Sequence, residues 1–350
     1  MKRQLRRAAL TTLKSCGAFS LIKQSEWRRQ RLLLLCYHGI ALEDEDQWRP
    51  SLYLTPQTFE RRLDILHAGK YAVHPLGEAL ERLYRKDLPP RSVALTFDDG
   101  GYDFYKQVYP RLKQRGFPAT VYLTTYYSEL ELPVFSAICS YLLWKARSKG
   151  TVDMKEFGVE CPTALDTAEN RDGAASKIVQ WADAQKISGQ EKDRVAANLA
   201  QCLGIDYEDL HRKRILQVMN RQEVAELAEQ GVDFELHTHR HRTPLEEELF
   251  RREIRDNRAY LASVSGGERK HFCYPSGAYR PEFLEWLARE GVVSATTCDT
   301  GFATMESNPL LLPRLVDTSQ RTDLEFESWV NGIGYFLSRR KRARHAYIPD

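Results

Sequence analysis

Val93-Ala-Leu-Thr-Phe-Asp-Asp-Gly100 is the stretch that decides the fold of this chain. A largely apolar run with β-forming residues ends abruptly in Asp98 and Asp99, which predicts a buried strand with two carboxylates at its end. A second stretch, Phe234-Glu-Leu-His-Thr-His-Arg-His241, has the same form but ends in imidazoles. Because the carboxyl ends of parallel strands lie at one edge of a sheet, we expect these polar side chains to meet there.

The residue types at these two strand ends indicate metal chemistry. Two imidazoles and one carboxylate form a three-ligand set of the zinc type, with an open position for water. The carboxylate that is left over is placed to act as a general base. An isolated Asp-Asp-Gly is usually a turn, and an isolated His-x-x-x-His pair is common on half-buried surfaces. The two motifs together, each directly after a strand pattern, favour a site.

Helical and strand-like patterns alternate along the chain and predict an α/β fold with a parallel sheet. Glycines 69, 116, 231 and 291 each follow a helical pattern and precede a strand, as C-cap glycines do. Reactive residues at strand ends then favour a barrel whose chemistry lies on that face. The predicted strands are Leu32–Cys36, Tyr71–Val73, Val93–Phe97, Ala119–Thr124, Val232–Leu236, His271–Tyr274 and Val293–Thr297.

Both motifs resemble those of the polysaccharide deacetylase family, the carbohydrate esterases with a NodB-type domain. Thr96–Asp99 is similar to the first family motif, and His237–His241 is similar to the second, His-Thr-x-x-His. The resemblance implies a distorted (β/α)7-type barrel of parallel strands. It also implies metal-dependent hydrolysis of the acetamide of N-acetylated amino sugars, in a polysaccharide or its lipid-linked precursor, with release of acetate.

The resemblance also implies a role for each motif residue. Asp98 would be the general base, Asp99, His237 and His241 would bind the metal, and Thr238 would brace the loop that carries both histidines. This ligand set suits a divalent cation, with Zn²⁺ as our expectation; nickel, cobalt or iron could also occupy it.

An early strand, Leu32–Ile40, is similar in position to the strand with the acidic histidine in the branch of poly-N-acetylglucosamine exopolysaccharide deacetylases. This likeness implies that His38 is the general acid. A histidine satisfied at a strand end is the alternative. The late Leu-x-His motif of other family members is not visible, and the corresponding stretch is Leu311-Leu-Pro-Arg314.

The third family motif is altered in this chain. Its counterpart is Phe272–Gly277, where Cys273 stands in place of the arginine that pairs with the base. Tyr274 and Ser276 are candidate supporting or substrate-binding residues, and a backbone N–H near Ser276 could stabilise an oxyanion. Arg314 is a candidate replacement for the missing arginine, with an ordinary salt bridge as the alternative.

Composition is that of a globular enzyme. The 350 residues include 51 Lys+Arg and 48 Asp+Glu, and this balance gives no indication of a nucleic-acid partner. Seven cysteines without a Cys-x-x-Cys pair favour reduced thiols over a disulfide framework. We therefore expect a cytoplasmic location, at or near the inner membrane surface, with secretion left open.

The pattern divides the chain into three parts. Residues 1–30 form a basic amphipathic segment, for which contact with an anionic membrane, a solvated basic tail and packing on the barrel are all open. Residues 31–320 form the barrel, with a helical insertion at about 126–218 whose aromatic residues fill a core of their own or form a lid. Residues 321–350 form a basic tail.

The predicted partner is an N-acetylated glycan or glycolipid. Two other functions fit the same residues. One is an amidohydrolase that acts on a small non-peptide C–N substrate with the same metal and base. The other is a non-catalytic carbohydrate-binding protein on the same fold, which the altered third motif supports and the retained Asp98 opposes.

Overall fold

The computed structural model of the protein describes residues 2–159 and 162–338. Its strands are, in chain order, β1 (Leu33–Tyr37), β2 (Gly39–Ile40), β3 (Tyr53–Leu54), β4 (Ala72–Val73), β5 (Ser92–Phe97), β6 (Thr120–Leu123), β7 (Thr151–Val152), β8 (Thr163–Ala164), β9 (Asp233–Leu236), β10 (His271–Cys273), β11 (Ser294–Thr300) and β12 (Leu312–Val316). Its helices are α1 (Lys2–Ser15), α2 (Ala18–Gln24), α3 (Glu26–Arg29), α4 (Glu45–Trp48), α5 (Pro56–Ala68), α6 (Leu76–Arg85), α7 (Tyr109–Arg115), α8 (Thr125–Leu130), α9 (Phe135–Lys145), α10 (Ala168–Ala184), α11 (Gly189–Cys202), α12 (Tyr207–Arg212), α13 (Arg221–Glu229), α14 (Glu247–Ser265), α15 (Pro281–Arg289), α16 (Asp323–Asn331) and α17 (Ile333–Leu337). Short helical turns occupy Phe104–Val108, Lys155–Phe157 and Pro275–Gly277.

Seven parallel strands close into a barrel. They pair in the order β1, β12, β11, β10, β9, β6 and β5, and β5 pairs back with β1. The predicted barrel of parallel strands is confirmed, but its membership differs from the prediction in one strand. The two residues of β4 pair only with the start of β5, and β12 closes the ring instead. Pro313 lies within β12 and lacks an N–H donor, so the sequence pattern there does not indicate a strand.

Strand alternation separates the two faces of the barrel wall. Along β1, Leu35 and Tyr37 join the main hydrophobic core between the strands and the outer helices. Leu34 belongs to a second cluster inside the barrel, and Cys36 contacts Asp98 there. Successive side chains on a strand point to opposite faces, so every second residue of each strand faces the barrel interior. The inward residue nearest the carboxyl end of a strand therefore lies at the barrel mouth.

Helix α6 closes the lower end of the barrel. Its apolar face packs into the interior cluster, which comprises Leu32, Leu34, Leu76, Ala79, Leu80, Leu83, Ala94, Tyr122, Cys273, Ala303 and Leu312. This cluster fills part of the barrel interior with apolar side chains. Asp233 and Glu235 take inward positions lower on β9, whereas the residues of the two sequence motifs lie at the carboxyl ends of the strands, where the barrel opens.

The helical insertion has a hydrophobic core of its own. Its buried residues come from α9, α10, α11 and α12 and the loops between them, and Trp144 and Trp181 pack against this core. Both tryptophans therefore contribute to the core of the insertion. This agrees with the prediction that its aromatic residues fill a core of their own rather than form a lid.

The N-terminal helices pack on the barrel. Leu10 and Phe19 are buried with Ile333 in a small cluster. Arg28 is fully buried and donates hydrogen bonds to backbone carbonyls of Val330 and Ser92 at 3.0 and 3.1 Å. These contacts show that the N-terminal segment packs on the rest of the molecule, which is one of the possibilities stated for residues 1–30. In the described residues, no helix has the length and apolar character needed to cross a membrane.

The C-terminal region needs a correction. Residues that were predicted to begin a basic tail at 321 instead form α16 and α17, with Phe326, Trp329 and Val330 buried in the main core. These apolar positions recur with helical spacing and bury one face of α16. The basic run at 339–344 lies outside the described residues.

Candidate active site

Three predicted metal ligands lie together at the carboxyl ends of β5 and β9. Asp99 Oδ1 is 3.2 Å from His237 Nε2 and 3.1 Å from His241 Nε2. Atoms that each lie about 2.0–2.2 Å from one metal ion have spacings of this size. His237 Nδ1 lies 2.9 Å from the backbone carbonyl of Cys273, so its N–H is oriented away and its Nε2 lone pair points towards Asp99. The geometry and chemistry of these residues therefore fit a divalent cation.

The backbone of this site is held in an uncommon conformation. Asp99, Thr238 and His241 have positive φ angles of 68°, 63° and 55°. Such angles are uncommon outside glycine and persist where surrounding contacts impose them. The hydroxyl of Thr238 is one such contact, because it accepts a hydrogen bond from the backbone N–H of Arg242 at 3.0 Å.

Two buried residues of α14 fix the histidine loop from behind. Asn257 Oδ1 accepts the backbone N–H of His237 at 2.9 Å. Glu253 accepts the backbone N–H of Arg240 at 2.7 Å and also binds the guanidinium groups of Arg240 and Arg242. Glu253 stands among the arginines of α14, a helix whose i,i+4 spacings of acidic and basic residues are typical of exposed ion pairs, but it is only 2% exposed. The tertiary contact between α14 and the loop, which helical spacing does not reveal, explains this difference.

Asp98 and Arg314 form a buried, two-pronged ion pair inside the barrel. The two carboxylate oxygens lie 2.7 Å from Nη1 and Nη2 of Arg314, whose Nε donates to the carbonyl of Thr297. Burial raises the pKa of Asp98, but the charge and hydrogen bonds of Arg314 outweigh it and hold that pKa well below its usual range. Asp98 is therefore an ionised carboxylate with a fixed orientation next to the metal ligands.

Three thiols surround this ion pair, and the sequence motifs indicated such a position only for Cys273. Cys36 Sγ and Cys273 Sγ lie 3.4 and 3.5 Å from Asp98 Oδ2, and Cys298 Sγ lies 3.9 Å from Arg314 Nη2. Burial raises the pKa of Cys273 well above its usual range, so the thiol stays neutral. The spacing of Cys36 and His38, two residues apart on one strand, is the sequence signal that places both inside the barrel.

His38 lies beside Asp98. Its Nε2 is 3.7 Å from Asp98 Oδ2, and its Nδ1 is buried without a hydrogen-bond partner in the described part of the chain. Burial lowers the pKa of His38. The strand after it is anchored by Asp103, whose carboxylate accepts the backbone N–H of Ile40 at 2.7 Å.

Other candidate residues lie outside this cluster. Strand alternation turns Tyr274 into the main hydrophobic core, where its hydroxyl donates to the carbonyl of Leu310. Its side chain therefore does not reach the site that the sequence pattern suggested. Ser276 is exposed in the turn after β10, with a φ of 57°. His239 points away from the metal ligands and pairs with Thr125 Oγ1 at 2.8 Å.

Comparison with known proteins gives this geometry a family. The family model described as polysaccharide deacetylase matches residues 85–160 and 199–295, and these ranges include both strand-end motifs. The chain has a domain of the polysaccharide deacetylase family. The gap in the match falls within the helical insertion. His38 and Arg314 lie outside the matched ranges of the deacetylase domain.

Individual relatives agree with this assignment. YxkH of Bacillus subtilis, a polysaccharide deacetylase by its name, is 33% identical over 94 residues. This stretch spans 27% of the present chain and 32% of that relative, about a third of its length.

Two solved structures share the fold of the deacetylase domain. The Streptococcus pyogenes deacetylase PplD, solved in complex with acetate, has a TM-score of 0.55 at 19% identity, over 84% of this chain and 95% of its own. IcaB from Ammonifex degensii has a TM-score of 0.54 at 17% identity, over 86% of this chain and 97% of its own. At these identities the similarity concerns the fold.

Proposed function

We propose that this protein hydrolyses the acetamide of N-acetylated amino sugars in a polysaccharide or its lipid-linked precursor, with the help of a divalent cation. The observation that carries the proposal is the arrangement at the barrel mouth. Asp99, His237 and His241 converge as a ligand set, and the ionised Asp98 lies beside them. A protein that only binds carbohydrate has no need of a general base beside a metal-ligand set.

Each residue would have one task. A bound cation would polarise the acetamide carbonyl and acidify the attacking water. Asp98 would accept the proton of that water, and Arg314 would keep its carboxylate ionised and correctly oriented. A backbone N–H of the turn at Ser276 would donate to the oxyanion of the tetrahedral intermediate.

His38 would act at the second half of the reaction. Protonated at Nε2, it would donate that proton to the sugar nitrogen as the C–N bond breaks, so that a free amine and acetic acid leave, and the acid then ionises to acetate in solution. The proton taken up by Asp98 would then return to His38 across the 3.7 Å between Oδ2 and Nε2. The balance of the cycle is one water consumed for each acetamide cleaved.

The choice of substrate rests on the family. Polysaccharide deacetylation is the activity named for the matching domain and for YxkH, and the structural neighbour PplD is a deacetylase by its title. We infer that the metal is zinc, since two imidazoles and one carboxylate are a frequent set for this ion.

The test measures acetate release from N-acetylglucosamine oligomers by the zinc-loaded protein. Asp98→Asn should abolish release while metal content stays equal. Glu235→Gln is the matched control, because Glu235 is a buried carboxylate on β9 that accepts a hydrogen bond from the backbone N–H of His271, the first residue of β10, and is not among the proposed ligands or catalytic groups. This variant should retain activity if it remains folded.

Three other results would contradict parts of the proposal. Metal binding without release from any oligomer would favour a small C–N substrate. Neither metal binding nor release would favour a carbohydrate-binding protein. Equal release by wild type and Asp98→Asn would remove the base assignment while leaving the reaction intact.

A further inference from the structure

Apolar side chains are exposed together at the lower end of the barrel. Leu21 is 73% exposed, Phe336 55% and Leu337 42%. Trp27 packs against Phe336 with tilted rings and 4.6 Å between ring centroids, and α2 lies against α17. We call Leu21, Trp27, Phe336 and Leu337 the basal patch. Exposed apolar side chains that cluster in this way are characteristic of an interaction surface.

The basal patch lies at the end of the barrel opposite the candidate active site. Trp27 packs edge-on against Phe302, and the adjacent Arg28 donates to the carbonyl of Ser92 at the start of β5. Asp98 follows directly after the end of the same strand. The length of β5 therefore separates the basal patch from the catalytic groups.

The segment that carries part of the basal patch is basic. Residues 2–31 contain nine Lys and Arg but only one acidic residue, Glu26. Arg29 is exposed, and Arg31 lies over the ring of Trp27 at 4.4 Å. In the sequence, the basal patch also runs directly from Leu337 into the basic stretch Arg-Arg-Lys-Arg-Ala-Arg at 339–344.

We propose that the basal patch docks on the surface of an anionic lipid bilayer. Exposed leucine and phenylalanine side chains insert at the boundary between headgroups and acyl chains, and the basic rim pairs with anionic headgroups. Charge complementarity alone would also suit a nucleic acid, but apolar side chains at the centre of the basic surface favour lipid. This proposal is independent of the proposed hydrolysis.

Docking in this way has a consequence for orientation. The open end of the barrel would face away from the membrane, with the candidate active site at the distal end of the molecule. A glycan chain that extends from the surface or lies free in solution could reach it. A sugar held at the headgroups under the basal patch could not.

The experiment measures co-sedimentation of the full chain with vesicles of phosphatidylcholine, with and without phosphatidylglycerol. We expect binding only to the anionic vesicles. Lys23→Gln combined with Arg29→Gln should weaken it about five-fold per charge removed, the fold-change that corresponds to ~1 kcal/mol for each basic residue near such a surface. Arg212→Gln combined with Arg252→Gln removes two exposed charges elsewhere and should leave binding unchanged.

The contribution of the apolar side chains is tested with serine substitutions inside and outside the basal patch. Leu21→Ser and Phe336→Ser should each reduce binding several-fold, whereas Leu245→Ser should not, although Leu245 is 45% exposed. Thermal unfolding checks the fold of each variant. Leu21 is 73% exposed, so its replacement by serine should not disturb the fold. If Phe336→Ser is unstable, Leu21→Ser therefore still tests the proposal.

Three outcomes would overturn the proposal. One is equal binding to vesicles with and without anionic lipid. Another is competition by a DNA duplex with no effect of the apolar substitutions, which would assign the surface to nucleic acid. The third is dimerisation without lipid that Leu21→Ser abolishes, because the occupant would then be a second copy of the chain.

Discussion

Replacement of Arg314 by methionine should shift the acid limb of the activity profile to higher pH. Methionine keeps much of the side-chain volume but removes the charge that opposes the effect of burial on Asp98. The carboxylate would then be buried without a cationic partner. Its pKa should rise, so the base would be protonated over more of the working pH range.

The magnitude follows from the contact geometry. An opposite charge at hydrogen-bond distance lowers a carboxyl pKa by about 1–3 units, so the acid limb should move upward by about 1–3 pH units. Removal of one partner from a buried ion pair costs about 3–5 kcal/mol in the free energy of unfolding. The acid limb and the stability of Arg314→Lys should lie between those of the wild type and Arg314→Met, because lysine keeps a charge but loses the two-pronged contact.

Stability should depend on pH with opposite signs in the two proteins. In the wild type, the folded pKa of Asp98 is below the unfolded value, so its stabilising contribution is present above the unfolded pKa and is lost as pH falls through the folded one. In Arg314→Met the folded pKa is raised. The variant should then be least destabilised at acid pH and lose stability as pH rises through that pKa.

The assay is kcat/KM against pH for acetate release, with metal content measured at every pH, and the free energy of unfolding from urea titrations. Arg62→Met is the matched control. Arg62 and Asp317 form another fully buried ion pair, 2.8 Å long, that also contacts Asp323. This variant should lose a similar amount of stability but keep the wild-type acid limb. An unchanged acid limb in Arg314→Met at full metal occupancy would refute the reasoning.

Three further predictions concern the loop and the insertion. His241→Ala should abolish stoichiometric zinc binding in calorimetry while His239→Ala retains it; loss in both would contradict the assignment. Glu253→Gln should weaken zinc affinity about 10–100-fold with the fold intact, because it loosens the ligand loop, and unchanged affinity would assign Glu253 a purely structural role. Leu199→Ala should lower the free energy of unfolding by about 2–5 kcal/mol in urea titrations, since Leu199 is fully buried in the core of the insertion, and a change near zero would mean that this core adds little.

The main part of the candidate site could be predicted from the sequence because of where its residues stand. Asp98 and Asp99 follow one buried strand directly, and His237 and His241 follow another. In a parallel barrel such positions share one end, so the convergence of these side chains needs no knowledge of side-chain packing. Their roles in catalysis stay predictions until the variants are assayed.

Support for the site was less accessible from the sequence. Glu253 stands among residues with the helical spacing of exposed pairs, and only the position of α14 against the histidine loop shows that it is buried. The strand β12 is obscured by Pro313, so the partner that closes the barrel could not be identified from pattern alone. The periodicity of apolar residues indicates which side chains share a face of a helix or strand. It does not indicate which other element packs against that face.

By itself, the sequence determined a parallel α/β barrel, the end of that barrel where chemistry gathers and the residues suited to bind a metal there. The tertiary structure alone decided that Arg314 holds Asp98, that three thiols surround the pair, and that α2 and α17, which carry the exposed Leu21 and Phe336, lie against each other. The physical reason is sequence separation. Strand and helix periods act over a few residues, whereas Asp98 and Arg314 are 216 residues apart and meet only because the barrel closes.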